Sequence, residues 1–176
     1  MTKRVAFLRA VNLGRRTVKM ARLVEVFEQL GYDSVWTHIN SGNVVFDGSG
    51  SRAALQRAIE PALQDAFGFE VTTFVRTAAE LRRSVNAQPF DVAGGDTHFV
   101  TFLKSPPSVA DARALESLSN DMDTLVVQGR DVHWRMHGRS TESSLTSKDW
   151  AAIVGERAST SRNMTMLRKL VAKLSA

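Results

Sequence analysis

The segment best equipped for chemistry is the turn Asn40-Ser41-Gly42-Asn43, which joins two apolar runs within Thr37–Phe46. This pattern predicts a tight β-hairpin, because asparagine and glycine adopt the backbone conformations that such turns require. Two side-chain amides and a hydroxyl offer more hydrogen-bonding capacity than a connection needs. We therefore expect a binding site at this turn.

Basic and amide side chains near both ends of the chain can complete that site. Helix amino termini expected at Thr17 and at Thr160-Ser161 would add backbone N–H groups, and such a set binds phosphate or carboxylate. The predicted ligand-binding residues are Arg9, Asn12, Lys19, Asn40, Ser41, Asn43, Arg162 and Asn163. An alternative stays open, in which the asparagines only hold turns and the arginines only tie the termini to the body.

Catalytic and metal-binding patterns are weak. His38 is the one titratable residue placed for proton transfer at the turn, and a histidine on a strand face is the commoner interpretation. Ser41 lacks the Gly-x-Ser-x-Gly pattern of a hydrolase nucleophile. Arg135 lies between His133 and His137, which disfavours a metal there. We predict no metal and no cofactor, and the sequence leaves open whether the protein is an enzyme.

The net charge of +5 is unevenly distributed along the chain. Residues 1–24 hold seven bases and no acid, and residues 157–176 hold five bases and no acid, so the middle is acidic. Basic ends favour an anionic partner. An anionic small molecule ranks first. RNA ranks second, because an RNA-recognition motif needs exposed aromatic residues and the relevant strands offer only Phe7 and Phe46. A protein-interaction module without a ligand is the third possibility.

The chain contains no cysteine, which excludes disulfides and thiolate chemistry. The apolar run Val5–Leu8 ends at Arg9 and is too short for a signal sequence or a membrane span. We therefore expect a cytoplasmic protein without a membrane partner. The oligomeric state is not determined by the sequence.

The first half of the chain has the pattern of a ferredoxin-like βαββαβ unit. Helix 1 is expected to be capped by Thr17 and to stop at Gly31, and Pro61 should kink or split helix 2. Thr77 and Glu80 form a capping-box pattern for a short third helix. The predicted strands are Val5–Val11, Val35–Ile39, Val44–Phe46 and Phe69–Arg76, and the second helix is Ser51–Phe67.

The second half predicts another α+β unit, so we expect two units at residues 1–90 and 91–176 that share one core and form a structural repeat. Alternation within Val132–Met136 predicts one solvent-exposed strand face. The expected strands are Thr97–Leu103, Thr124–Val127 and Val132–Met136, and the expected helices are Ser108–Leu118, Ser147–Val154 and Arg162–Leu174. The expected buried residues are Val5, Phe7, Leu23, Phe27, Val44 and Phe46.

This topology has a consequence for the site. In a ferredoxin-like unit, strands 1 and 2 run in the same direction, so the end of strand 1 and the hairpin after strand 2 lie at one sheet edge. The loop that contains Arg9 and Asn12 should therefore lie beside the Asn40–Asn43 turn.

Four segments resemble the domain-of-unknown-function family 1697, which comprises small bacterial proteins. They are Arg9-Ala10-Val11-Asn12-Leu13-Gly14-Arg15, Thr37–Phe46, Gln88-Pro89-Phe90 and Thr160-Ser161-Arg162-Asn163-Met164. The resemblance covers essentially the whole chain, and it implies this layout without implying an activity. Ala10 and Arg15 replace glycines of the family pattern, His38 replaces a tyrosine and Met164 a tryptophan. Arg15 makes the first loop bulkier and more basic.

Overall fold

The computed structural model describes residues 1–39 and 42–175. The chain divides into two units, Met1–Glu80 and Leu81–Ala176. Among the described residues, no helix has both the length and the apolarity that a bilayer crossing requires. The predicted boundary near residue 90 and a core shared by the two units stay predictions.

The first unit is a ferredoxin-like βαββαβ arrangement, as predicted. Its four strands form an antiparallel sheet in the order β2-β3-β1-β4. The elements are β1 (Thr2–Leu8), α1 (Met20–Gln29), β2 (Asp33–Thr37), β3 (Asn43–Gly48), α2 (Arg52–Phe67), β4 (Thr73–Thr77) and α3 (Ala78–Asn86), the last of which ends beyond the unit division.

The second unit repeats the first. Its sheet has the order β6-β7-β5-β8, which is the same strand order counted from the start of each unit. The elements are β5 (Thr97–Leu103), α4 (Val109–Glu116), β6 (Asp123–Gln128), β7 (Asp131–Met136), a 3₁₀ turn (Ser140–Glu142), α5 (Ser147–Val154), β8 (Ser159–Asn163) and α6 (Met164–Leu174). The predicted structural repeat is therefore confirmed.

Each unit has an apolar core between its sheet and its helices. In the first unit, helices α1 and α2 pack on one sheet face through Leu23, Phe27, Ile59 and Leu63. In the second unit, Trp150 of α5 belongs to the corresponding cluster. All six residues predicted to be buried, Val5, Phe7, Leu23, Phe27, Val44 and Phe46, have exposed fractions of 0%.

All four strands of the first unit are bounded differently from the prediction, β3 by only one residue at its start and two at its end. β1 ends at Leu8 instead of Val11, because Ala10 and Asn12 have φ values of 55° and 58°, outside the extended region of a regular strand. β2 ends at Thr37 for the same reason, since Ile39 has a φ of 57°. β4 begins at Thr73 instead of Phe69.

The helices of the first unit differ in two respects. α1 begins at Met20 with Lys19 at the cap position, so the cap predicted at Thr17 is wrong. α2 is not split at Pro61. Pro61 lies on the exposed side of α2, where water can hydrogen-bond the Arg57 carbonyl that the proline leaves without an N–H partner.

The predicted helix stops and capping box are confirmed. Gly31 follows the last turn of α1 with a φ of 83°, and Gly68 ends α2 with a φ of 79°. The Thr77 N–H donates to Glu80 Oε2 at 2.8 Å, and the Glu80 N–H donates to Thr77 Oγ1 at 3.1 Å. Arg52 also donates to the Glu80 carboxylate.

β8 was missing from the sequence prediction, which began the last helix at Arg162. Instead, Ser159–Asn163 pairs with β5, with Arg162 opposite Val100, and α6 begins at Met164. The segment is polar and has no alternation of its own, so only pairing with the apolar β5 makes it a strand. No helix therefore begins at Thr160-Ser161.

Candidate functional site

The β1–α1 loop and the β2–β3 hairpin are in direct contact, as the topology argument predicted. The Leu8 N–H donates to the Gly42 carbonyl at 2.8 Å, which joins the end of β1 to the hairpin. The next N–H, that of Arg9, donates at 2.9 Å to the carbonyl of Thr72, the residue before β4. A Cβ on Gly42 would lie 2.6 Å from Val11 Cγ2 and 3.0 Å from Leu8 Cβ. Only glycine allows the hairpin to approach the loop this closely.

Asn12 holds the β1–α1 loop in place. Its side-chain Oδ1 accepts from the Val18 N–H at 2.8 Å, which ties the two ends of the loop together. Val11 and Val18 are buried at those ends. Between them the Arg16 N–H donates to the Leu13 carbonyl at 3.0 Å, which forms a tight turn. The loop is therefore built before any ligand arrives.

The tip of this loop is strongly basic. Arg15 and Lys19 are exposed, and neither side chain makes a hydrogen bond or ion pair within the described ranges. The Arg16 guanidinium carbon lies 5.4 Å from the Phe69 ring centroid, a cation–π contact. With no acidic residue in the first 24 positions, the loop surface carries uncompensated positive charge.

In the described part of the hairpin, His38, Gly42 and Asn43 are buried, whereas Ile39 is 55% exposed. Asn43 is 0% exposed, and its Nδ2 donates to the His38 carbonyl at 2.8 Å. The His38 N–H donates back to the Asn43 carbonyl at 2.9 Å. His38 is 4% exposed, so its ring is poorly placed for proton exchange with a solvent-borne ligand. Asn40 and Ser41 lie outside the described residues.

Arg162 and Asn163 lie in the second unit, at the junction of β8 and α6. The Arg162 Nη1 donates to Thr160 Oγ1 at 2.8 Å and to the Ser161 carbonyl at 2.9 Å. Burial lowers the pKa of Arg162 to about 10, so the guanidinium is still charged at neutral pH. Asn163 caps α6, with Oδ1 accepting from the Thr165 N–H at 2.8 Å. Their convergence with the first-unit residues stays a prediction.

A buried histidine pair in the second unit was not predicted. His98 Nε2 lies 3.0 Å from His133 Nδ1, and His133 is 0% exposed. The face of β7 that was expected to be wet is therefore dry at His133. The reason is Phe90, whose ring centroid lies 4.9 Å from that of His98 and 6.4 Å from that of His133. The Arg135 guanidinium carbon lies 5.2 Å from the Phe90 centroid, a cation–π contact.

The environment of this pair disfavours its charged forms. Burial, and then the charges of His133 and Arg168, lower the pKa of His98 to about 4. Burial likewise lowers the pKa of His133, although Asp131 opposes this. The sequence signal for this buried pair was Phe90 in the segment Gln88-Pro89-Phe90. An aromatic residue in a polar linker is expected to pack on another part of the protein and bury it.

A family model for "Protein of unknown function (DUF1697)" matches residues 1–133, about three quarters of the chain. The chain belongs to the DUF1697 family. The resemblance to this family is thereby confirmed, and three of the four sequence segments lie within the matched residues. Residues 134–176 lie beyond the matched region, so Arg162 and Asn163 lie beyond it as well.

A solved structure described as conserved bacterial protein SP0830 from Streptococcus pneumoniae has a similar fold. The two chains are 22% identical with a TM-score of 0.77, and the match covers 100% of this chain and 99% of that one. The fold of this DUF1697 protein is therefore shared with that structure. No curated protein sequence matches this chain significantly.

The sites of this DUF1697 protein differ in what they can do chemically. Within the described ranges, no group of three or more histidine, aspartate or glutamate side chains could hold a metal ion. The basic loop offers cations and amides, which bind anions. The histidine pair offers buried imidazole nitrogens, which accept or donate protons.

Proposed function

We propose that this protein binds an anionic small molecule that bears phosphate or carboxylate, through the β1–α1 loop beside the β2–β3 turn. The residues proposed to contact the ligand are Arg9, Asn12, Lys19, Asn40 and Ser41. A cytoplasmic location belongs to the same proposal. Asn43 supports the site indirectly, since its buried amide holds the hairpin.

The observation that carries this proposal is the combination of preformed backbone and unneutralised charge in one loop. Ala10 and Asn12 adopt left-handed backbone conformations that cost free energy in residues other than glycine. The Asn12–Val18 hydrogen bond and the Gly42 contact keep the loop in that shape. A loop built in advance loses little conformational entropy when it binds.

The test compares the thermal stability of the protein in sodium phosphate and in sodium chloride at equal ionic strength. Equal ionic strength removes differences in charge screening, and the general stabilisation by phosphate as a kosmotropic anion is shared by all variants. Specific binding is therefore the part of the rise in Tm that a substitution in the loop removes. We expect phosphate to raise the Tm of the wild type. Lys19→Gln should abolish most of this rise without lowering Tm in chloride, because its side chain has no described partner.

Arg57→Gln is the matched control. Arg57 is an exposed arginine on α2 whose side chain has no described partner, so the substitution removes one positive charge from the same unit outside the loop. The phosphate response should survive in this variant. An equal loss of response in both variants, or a wild type that does not respond to phosphate, would contradict the proposal.

The nucleic-acid alternative is tested by measuring RNA binding at several salt concentrations. Single-stranded RNA bound through the phosphate backbone should show an affinity that falls steeply with salt concentration. Tight RNA binding with such a slope, together with no response to phosphate, would replace the small-molecule proposal by the nucleic-acid alternative.

A further inference from the structure

A polar cavity lies in the second unit, at the amino terminus of α6. Its volume is about 180 Å³, which is room for several water molecules or a small metabolite. Its polar lining comes from the segment before β5, from β5 itself, from the last residue of β8 and from α6. These lining residues are Asp96, Thr97, His98, Asn163, Thr165 and Arg168.

The amino terminus of α6 lacks the carboxylate that its counterpart has. In the first unit, α3 is the equivalent helix, and its third residue, Glu80, accepts the Thr77 N–H and receives Arg52. In α6 the third residue is Met166, and the first turn contains no acid. The partial positive charge of the α6 terminus is therefore not balanced by the helix itself.

His98 supplies an independent indication of a ligand. It is 8% exposed and lines the cavity. Its Nε2 contacts His133, whereas its Nδ1 has no hydrogen-bond partner in the described part of the chain. An imidazole nitrogen without a protein partner, on a side chain that lines a cavity, is left for a ligand or water to satisfy.

The hydrogen bond between the histidines indicates which proton His98 offers. His133 Nε2 is buried and has no described partner. Leaving this nitrogen unprotonated costs less free energy than burying an N–H group there. We therefore assign the proton of His133 to Nδ1, which donates to His98 Nε2. Neutral His98 then carries its proton on Nδ1 and can donate it to a ligand.

Arg168 and Asp96 carry opposite charges, and both line the cavity without forming an ion pair with each other. Arg168 is exposed, and its side chain makes no described hydrogen bond or ion pair. Asp96 has a side chain that is 9% exposed, and it accepts the Ala93 N–H at 3.1 Å and lies 3.5 Å from His137 Nδ1. A carboxylate accepts up to about four hydrogen bonds, so Asp96 can still accept from a ligand.

We propose that this cavity binds a small carboxylate that carries a hydroxyl or amino group on the neighbouring carbon. The carboxylate is received by Arg168, by the Nδ1–H of His98 and by the amino terminus of α6. The hydroxyl or amino group donates to Asp96, which also disfavours ligands with two negative charges. This site is separate from the loop site proposed in the first unit and does not depend on it.

Proton binding by His98 follows from this arrangement. The titratable and charged groups around His98 are His133 from β7, Arg168 from α6 and Asp96 from the segment before β5, and Arg135 contacts the Phe90 ring that packs on His98. A bound carboxylate adds a negative charge beside the ring and so raises the pKa of His98 from about 4. Ligand affinity should therefore increase as pH falls through the raised pKa of His98 in the complex towards 4.

The experiment is an NMR titration of the intact protein with glycolate, acetate and inorganic phosphate, which reports the ring resonances and the pKa of His98. Glycolate should shift these resonances with saturation and raise the pKa of His98. Acetate, which differs from glycolate by the hydroxyl, should bind about tenfold more weakly, the effect of one lost hydrogen bond to a charged group.

The matched variants are Arg168→Gln and Lys169→Gln. Both remove one positive charge from an exposed position of α6, but only Arg168 lines the cavity. Arg168→Gln should weaken glycolate binding by about tenfold or more. It should also raise the pKa of His98 in the absence of ligand, because a neighbouring cation is lost. Lys169→Gln should change the glycolate affinity less than about twofold.

Three results would overturn the proposal. The first is a His98 resonance that none of the three anions shifts. The second is an equal loss of glycolate affinity in both variants, which would indicate non-specific attraction to a basic helix. The third is tighter binding of phosphate than of glycolate, which would refute the assigned ligand class. Lys19→Gln should leave this titration unchanged, so failure here is distinguishable from failure of the first-unit site.

Discussion

Arg76 and Arg162 occupy the same position in the two repeated units. Each lies in the fourth strand of its sheet, opposite a valine of the first strand, Val5 for Arg76 and Val100 for Arg162. Each donates Nη1 to the carbonyl of the preceding residue, at 3.1 Å for Arg76 and 2.9 Å for Arg162. Each is followed by the residue that caps the next helix. The repeat therefore extends to single side chains, and the units differ at Glu80, which has no acidic counterpart in α6.

Glu80→Gln should lower the free energy of unfolding at neutral pH by about 1 kcal/mol, since the partly exposed pair with Arg52 is screened by solvent. Burial alone would raise the pKa of Glu80, but hydrogen bonds from Arg52 and the Thr77 N–H, with the charges of Arg52 and Arg76, lower it to about 2. The folded protein therefore binds fewer protons than the unfolded chain between about pH 4.5 and 2, and the stabilisation is lost as pH falls through that range.

Urea unfolding of the wild type and of Glu80→Gln from pH 7 to pH 2 measures this effect. The difference between them should shrink as pH falls. The control is Glu25→Gln, which removes an exposed pair with Arg22 and should cost less than about 0.5 kcal/mol. A difference for Glu80→Gln that is independent of pH would contradict the low pKa of Glu80.

Gly42→Ala should destabilise the protein by about 2–4 kcal/mol, because it combines a left-handed φ of 72° with a Cβ only 2.6 Å from Val11 Cγ2. Gly31→Ala is the matched control. Gly31 also has a positive φ, 83°, but a Cβ there would meet nothing within 4 Å. It should cost about 1 kcal/mol, the backbone contribution alone. The free energies of unfolding are measured with urea. Equal losses of stability in the two variants would show that the hairpin does not pack closely against the first loop at Gly42.

Asn12→Asp separates the structural and binding roles of the first loop. Aspartate keeps an acceptor for the Val18 N–H and tolerates the φ of 58°, so Tm in chloride should stay within a few degrees of the wild type. The added negative charge should abolish the rise of Tm in phosphate. Asn12→Ala should instead lower Tm in both salts, since it loses the acceptor. A phosphate response that persists in Asn12→Asp would exclude Asn12 from the proposed site.

The histidine pair should make stability depend on pH in a second range. His98 has a pKa of about 4 in the folded protein against 6.5 in the unfolded chain, so unfolding takes up a proton between these values. The free energy of unfolding should therefore fall as pH falls from about 6.5 to 4. His98→Gln should be less stable at pH 7 but fall less steeply over this range. An identical slope in the two proteins would contradict the burial of an uncharged His98.

The sequence alone determined those parts of the fold in which the local pattern of each element agrees with its tertiary contacts. Apolar periodicity placed α5 and β5 at the observed residues, and glycines marked the ends of α1 and α2. The strand–helix order then implied the strand order of the first sheet and the contact between loop and hairpin. That inference succeeded because few topologies connect such elements with short, uncrossed loops.

Only the tertiary structure decided the elements and contacts that depend on residues distant in the chain. β8 is polar and becomes a strand because β5 offers it hydrogen bonds, so no local pattern marks it. His133 is buried because Phe90, 43 positions earlier, covers the strand face that alternation predicted to be wet. The cavity beside Arg168 likewise joins residues from the segment before β5 and from α6. Periodicity reports which face of an element is apolar, whereas burial of a polar face depends on which distant side chain packs on it.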